Sequence, residues 1–298
     1  MIPVIGIVVV LGCIAGGYLM EKGNLLVLMQ PAELLIIAGA ALGTVLIGNP
    51  IYVLKAIAAG VLQVFKGSRY TAAIYLDTLK FLNDFFNTAR KNGLTALEQD
   101  LDEPEKSALF KRHPNFYKDK EALHFFCDTM RTQMTGGVET HDLDQMMETD
   151  LEILHHQGRL SASALTTVAD SLPGLGIVAA VLGVVITMGS LGGPPEEIGH
   201  KVAAALVGTF LGILLCYGFL GPVAAHIKKH TDAEGEYFLC LRMGLLANIK
   251  GLAPMLSLEA ARRAIPHHLR PTFQEMDKIC RKTPESATQD SAPTEEAA

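Results

Sequence analysis

The stretch Ser171–Leu191, SLPGLGIVAAVLGVVITMGSL, decides the fold of this chain. It contains no charged side chain from its first residue to its last. About 20 mainly apolar residues in a helix are enough to cross the roughly 30 Å hydrocarbon core of a bilayer. A buried helix of a soluble core would carry charges on its outer face. The stretch therefore predicts a membrane-spanning helix.

Three further runs have the same character: Ile2–Met20, Leu34–Leu54 and Val202–Ile227. Hydrophobic residues make up 49% of the 298 residues, and the excess is concentrated in these runs. The first run lacks a preceding basic region, so we expect it to be retained and not cleaved as a signal peptide. The sequence predicts an all-α, polytopic membrane protein with four transmembrane helices and a helical cytoplasmic domain.

The distribution of Lys and Arg predicts the orientation. Thirteen lie between Lys55 and Arg159, ten lie between Lys228 and Lys282, and only Lys22 and Lys201 flank the two short connections. Because basic residues are retained on the cytoplasmic side, both termini and the large insert are expected to be cytoplasmic. The predicted division is transmembrane helices 1 and 2 in 1–54, a cytoplasmic helical domain in 55–170, transmembrane helices 3 and 4 in 171–227, a helical tail in 228–282 and a disordered acidic tail in 283–298.

The polar insert carries helical signals. Thr71–Lys91 has an apolar stripe of period near 3.6, and Gly93 after it is a suitable helix C-cap. Thr95 and Glu98 have the spacing of a capping box, which predicts the start of the next helix. Within the insert, further helices are expected over Ala122–Met134 and from about His141 into the third span. In the tail, helices are expected over Val223–Asn248 and Leu258–Ile265.

Small residues recur at four-residue spacing in every span. The pairs are Gly12/Gly16, Gly39/Gly43, Gly176/Ala180 and Gly208/Gly212. Such stripes let helix backbones approach closely in a membrane. Packing within one subunit explains each stripe by itself, and four stripes leave room for contacts between subunits.

Several functional classes are disfavoured. A net charge of −6 gives no argument for a nucleic-acid partner, and the five cysteines have no paired spacing. His226 and His230 have helical i,i+4 spacing, but no acidic third ligand accompanies them. No enzymatic activity, metal site or cofactor is predicted.

The spans lack an ionisable side chain at mid-depth. Glu33 and Asp170 are expected at the edges of the second and third spans, and His226 near the end of the fourth. Proton conductors normally carry an ionisable group inside the membrane. If this chain moves protons, the titrating group must come from another chain.

Four segments carry a resemblance to a known family: Gln30–Gly43, Val168–Val185, Val207–Pro222 and Leu245–Pro254. In this order they resemble the corresponding segments of MotA stator proteins, which couple ion flow to flagellar rotation in the bacterial inner membrane. The resemblance covers nearly the whole chain apart from its last residues. It implies a partner, MotB, whose single membrane helix carries the proton-binding aspartate, and five copies of this chain around a MotB dimer.

The resemblance also implies roles for six residues. Pro173 and Pro222 match prolines of conformational coupling, although each is equally explained as an ordinary kink. Arg90 and Glu98 match charges that engage the rotor protein FliG, although a helix C-terminus and a capping box also explain them. Ala180 stands where sodium-using relatives carry threonine, and Thr209 is retained, so H+ is the expected ion.

Related functions are also compatible with this pattern. The TolQ/ExbB class drives envelope transport, but its members have one span before the cytoplasmic insert and this chain has two. A sodium-driven stator subunit shares the four spans, and so does a membrane scaffold without an ion path.

Overall fold

The computed structural model describes residues 2–67, 69–189, 192 and 194–281. The predicted disordered tail, 283–298, lies outside these residues. The described residues are mainly helical and contain no strand, which confirms the all-α class. In chain order the helices are α1 (Ile2–Met20), α2 (Leu25–Leu28), α3 (Pro31–Gly48), α4 (Ile51–Lys66), α5 (Ala72–Asn92), α6 (Glu98–Asp102), α7 (Ala108–Lys111), α8 (Pro114–Tyr117), α9 (Lys120–Thr135), α10 (Thr140–Met188), α11 (Pro195–Ile213), α12 (Gly221–Ile249), α13 (Pro254–Ala264) and α14 (Phe273–Arg281).

Four helical stretches are long and apolar enough to cross a membrane: Ile2–Met20, Leu25–Gly48, Thr140–Met188 and Pro195–Ile249. They contain the first and fourth predicted runs. The third predicted run is helical as far as Met188, and its last two residues, 190 and 191, lie outside the described residues. The second run ends earlier than predicted. Pro50 holds Asn49 in an extended conformation (φ −134°, ψ 139°), because the residue before a proline is disfavoured in the helical region. The helix therefore stops at Gly48, and α4 begins at Ile51.

The chain forms two compact units. The membrane unit comprises residues 2–67 and 156–231, and the polar unit comprises residues 69–155 and 232–281. The predicted helix over Val223–Asn248 is not separate from the fourth span. It continues from α11 through a π-helical segment, Leu214–Leu220, into α12.

The membrane unit has a small interior. Its largest cluster of buried apolar side chains comes from α3, α10 and the π segment, and includes Ile37, Ala169 and Leu172. No residue of α1 is buried in the single chain. An uncovered apolar helix is what a bilayer, or a neighbouring subunit within it, accommodates.

The polar unit has an aromatic core that positions α5. The Phe81 ring stacks on Phe116 with centroids 4.1 Å apart, and Phe126 meets both edge-on. Leu79, Leu82, Phe85 and Phe86 of the predicted stripe are buried with them. The apolar face of α5 is therefore fixed by packing, and its polar face remains at the surface.

Candidate functional site

Three glycines bring α10 and α11 into backbone contact. An ideal Cβ on Gly212 would lie 2.6 Å from the carbonyl oxygen of Leu172 and 2.9 Å from the Cα of Gly176. A Cβ on Gly176 would lie 2.8 Å from the carbonyl oxygen of Gly208. Only glycine permits this approach, as in other close helix contacts within membranes. We call this contact the α10–α11 seam.

Pro173 lies in α10 directly after Leu172, whose carbonyl is the closest atom to Gly212 in the seam. Proline has no backbone N–H, so the Ala169 carbonyl loses the hydrogen bond that residue 173 would otherwise donate. The helix continues through this point without a break. A local weakness in the hydrogen-bond ladder thus lies beside the closest approach of a glycine to backbone atoms in the described membrane unit.

Pro222 lies at the start of α12, directly after the π segment. Because Pro222 cannot donate to Gly218, an α-helical ladder cannot be completed here. The preceding residue, Gly221, donates instead to the Cys216 carbonyl, five residues earlier. π segments are rare and occur frequently at functional sites. For Pro222 the sequence left conformational coupling and an ordinary kink open, and it gave no indication of a π segment.

Ala180 and Thr209 meet the same seam. A Cβ on Gly208 would lie 3.3 Å from the backbone nitrogen of Ala180 and 3.2 Å from the Cβ of Ala179. Gly208 directly precedes Thr209. Ala180 on α10 and Thr209 on α11 therefore lie at the same height in the membrane unit, on two helices that pack against each other.

Other hydroxyls and amides of the spans donate locally. Thr44 donates to the Ala41 carbonyl at 2.8 Å, Asn49 to Val45 at 3.0 Å and Thr187 to Gly183 at 2.8 Å. Such bonds back to the preceding turn satisfy a hydroxyl or an amide within its own helix. The hydroxyl hydrogens of Thr44 and Thr187, and one amide hydrogen of Asn49, are therefore already engaged.

Glu33 was expected at the edge of the second span, without a functional role. It lies in the first turn of α3, and only 7% of its surface is exposed. Its Oε2 atom is buried and has no hydrogen-bond partner among the described residues. The sequence signal was a single acid at the start of an otherwise uncharged span, which is a functional indication by default.

Arg90 and Glu98 lie in the polar unit, at either end of the turn that follows α5. Gly93 ends α5 with φ +82°, as its predicted C-cap role requires. Both side chains are exposed, and neither forms an ion pair with another described residue. The two charges are therefore available to another molecule.

The predicted capping box at Thr95 and Glu98 is wrong. Leu94–Leu97 forms a 3₁₀ helix, and Glu98 is the first residue of α6, with no side-chain cap. The Glu98 backbone N–H donates to the Thr95 carbonyl. A tight turn follows the left-handed Gly93 directly, so Thr95 has no extended N-cap conformation. This removes the structural role that the sequence suggested for Glu98.

Buried polar contacts brace the polar unit. Tyr70 donates to Glu234 at 3.0 Å, and Arg69 pairs with Asp119 at 3.0 Å. Burial raises the pKa of the Tyr70 hydroxyl and of the Glu234 carboxyl. Hydrogen bonds from Arg262 and Arg263 lower the pKa of Glu259 to about 2.

Histidine pairs do not form a metal centre in the part of the chain that the structure describes. No group of three or more His, Cys, Asp or Glu side chains is arranged to hold an ion there. The His230 ring lies 3.0 Å from the Gln63 amide nitrogen. His155 contacts Asp232 at 3.2 Å.

Comparison with family models matches the chain in two parts. Residues 4–93 match the model described as motility protein A N-terminal, and residues 118–238 match the MotA/TolQ/ExbB proton channel family.

Comparison with curated proteins gives relatives along almost the entire chain. Motility protein A of Escherichia coli is 38% identical over 290 residues, which cover 97% of this chain and 98% of that protein. Chemotaxis protein LafT of Vibrio parahaemolyticus is 36% identical over 92% of this chain and 96% of that protein.

Solved structures share the fold. The Campylobacter jejuni MotAB structure superposes with a TM-score of 0.73 at 21% identity, covering 89% of this chain and 95% of that one. The flagellar MotAB stator complex of Bacillus subtilis superposes with a TM-score of 0.71 at 22% identity, covering 92% and 98%.

Proposed function

Because this chain belongs to the motility protein A family, we propose that it is a stator subunit of the bacterial flagellar motor and couples ion flow to torque on the rotor. The observation that carries the proposal is the match to motility protein A of Escherichia coli along 97% of this chain. The chain is a membrane protein and a channel component, not an enzyme. Two helical spans precede the polar insert, which favours this function over a TolQ/ExbB-like role in envelope transport.

The translocated ion is H+, and the channel is completed by MotB. Apart from Glu33, the described span segments α1, α3 and α11 from Val202 onward carry no Asp, Glu, Lys or Arg. A membrane helix of MotB with a proton-binding aspartate supplies the missing group. Both similar solved structures are MotAB assemblies, which supports this partnership. The complex contains five copies of this chain around two of MotB, in the inner membrane.

Segments 55–170 and 228–282 lie on the cytoplasmic side, together with both termini. The support is the concentration of Lys and Arg in these segments. The connections between the first two and the last two spans face outward.

Conformational coupling uses the α10–α11 seam and the π segment. One proton crossing 100 mV releases roughly 2.3 kcal/mol. A proline in a helix interior changes local energetics by about 3 kcal/mol, which is the same scale. At Pro173 beside the seam and Pro222 after the π segment, a single ion transit therefore releases free energy on the scale of a local change in helix geometry.

The polar unit docks on the rotor protein FliG through Arg90 and Glu98. Their exposure, and the absence of an ion pair to either within the described residues, support an intermolecular role. Exposed charge pairs contribute about 0–1 kcal/mol each and are screened by salt. Docking of this strength permits repeated release during rotation.

Ala180 supports protons over sodium. At this position the chain offers a methyl group where a hydroxyl would supply an oxygen ligand to a dehydrated cation. Thr209 on the neighbouring helix retains its hydroxyl, but Ala180 supplies no second hydroxyl.

Complementation tests the function. The gene is expressed with its cognate MotB in an Escherichia coli strain that lacks both stator proteins, and swimming is measured. We expect restored motility, a 5:2 complex by native mass spectrometry and no proton flux from this chain alone in liposomes. Normal membrane accumulation of both proteins without motility or proton flux would overturn the proposal.

A further inference from the structure

The Glu33 carboxylate occupies a slot that small residues leave open. A Cβ on Gly208 would lie 2.8 Å from Glu33 Oε2, and a Cβ on Gly183 would lie 3.4 Å from Oε1. Ala205 contacts Gly183 in the same place. Any larger side chain at Gly208 would displace the carboxylate. The slot is thus formed jointly by α3, α10 and α11.

Opposing influences act on the charge of this carboxylate. The first turn of α3 presents unbonded backbone N–H groups, which favour the carboxylate form. Burial, with Oε2 unpaired, favours the neutral acid. On α11 the charged and titratable residues closest in sequence to Ala205 and Gly208 are His200 and Lys201, and Lys201 pairs with Glu197 at 2.8 Å. On α10 the described residues from Ser171 to Met188 carry none.

An open cavity of about 430 Å³ lies between the residues that precede α3 and the N-terminal part of α11. It is lined by Asn24, Leu26, Val27, Gln30, Glu197, His200, Lys201 and Ala204. Gln30 is the N-cap residue of α3, three residues before Glu33, and Ala204 adjoins Ala205 of the slot. The cavity is roomy and polar enough to hold water. The cavity therefore approaches the Glu33 slot through Gln30 and Ala204, which lie close in sequence to its residues.

We propose that Glu33 is a proton-exchanging site at the outer end of the membrane unit. Its carboxylate takes a proton from water in this cavity and becomes the neutral acid. It then releases the proton through water toward a carboxylate of the partner helix and returns to its charged form. The direction of transfer rests on the proposed stator function, but the titration of Glu33 does not.

The first experiment uses the full-length chain alone in lipid bilayers. Infrared difference spectra between wild type and Glu33→Gln are recorded across pH. We expect a protonated-carboxyl band that titrates in wild type, is lost in Glu33→Gln and is retained in the control Glu21→Gln, since Glu21 is an exposed acid just after α1. A Glu33 band that stays unchanged across the range, or that never forms, overturns the proposal.

The second experiment uses the complex with its partner in liposomes. Glu33→Gln is expected to lower proton flux and to remove its dependence on outer pH, and Glu33→Asp is expected to restore part of both. If Glu33→Gln does not assemble, the Asp variant carries the test through a shifted titration and reduced flux. If the wild-type complex conducts protons and both variants conduct them equally well, proton transfer through Glu33 is overturned. No flux in the wild-type complex contradicts the stator function instead, and the infrared result still decides Glu33.

Discussion

Replacing Gly212 by alanine puts a methyl group into the α10–α11 seam. The new Cβ would lie 2.6 Å from the Leu172 carbonyl oxygen and 2.9 Å from the Gly176 Cα. Both obstacles are backbone atoms, so no side chain can rotate away. The two helices must separate to accommodate the change. We therefore expect the membrane unit to lose stability and the complex to lose torque.

Gly174→Ala is a matched control in the same seam region. Gly174 lies two residues before Gly176 on α10, and a Cβ there would meet nothing within 4 Å. Alanine gains roughly 0.5–1 kcal/mol over glycine in a helix interior in both variants. This gain cancels in their difference, which isolates the clash. Overpacking of this kind costs about 1–3 kcal/mol.

Unfolding in mixed micelles with increasing SDS measures the difference. The chain contains no Trp, so helical circular dichroism is the appropriate signal. We expect Gly212→Ala to unfold at lower denaturant than Gly174→Ala, with a gap in unfolding free energy of about 1–3 kcal/mol. Equal transitions for the two variants would refute the argument that backbone contact in the seam determines the effect.

Three further predictions concern the remaining sites. Arg90→Glu should reduce swimming more than Arg90→Ala at equal membrane accumulation. The control Lys118→Glu reverses another exposed charge of the same unit and should have little effect. Failure of Arg90→Glu to accumulate would indicate a folding role. Pro222→Ala restores a backbone donor and should convert the π segment toward α-helix. We therefore expect less torque per proton when torque and proton flux are measured separately. Wild-type values of both would contradict a coupling role. The depressed pKa of Glu259 contributes stability that is fully present above pH 4.5 and is lost as the pH falls toward about 2. The difference in unfolding temperature between wild type and Glu259→Gln should therefore shrink over that range. A constant difference would exclude this linkage.

The small-residue stripes show where sequence reasoning reached its limit. All four have the same spacing, yet the structure packs only Gly176, Gly208 and Gly212 against backbone. Cβ atoms at Gly12, Gly16, Gly39 and Gly43 would meet nothing within 4 Å in the described chain. Spacing along one helix is a local property, and it does not specify which helix covers the stripe.

The sequence by itself determined the four spans, the helical insert and the end of α5 at Gly93. Each follows from a local cause: uncharged length set by the bilayer, period-3.6 patterning, or a left-handed glycine. The resemblance to the family also came from local segments in a fixed order. Arg90 and Glu98 were identified in this way, and their exposure agrees with a role outside the chain.

Only the tertiary structure revealed the surroundings of Glu33, the seam beside Pro173 and the π segment before Pro222. It also showed that Thr95 does not form a capping box. Glu33 lies in the first turn of α3, at a span edge as expected, but its burial was not expected. The sequence does not show that Gly183 and Gly208, about 150 or more residues further along, leave room for its carboxylate. The physical reason is that burial and contact depend on distances between helices remote in sequence, while periodicity and capping depend only on neighbours along the chain.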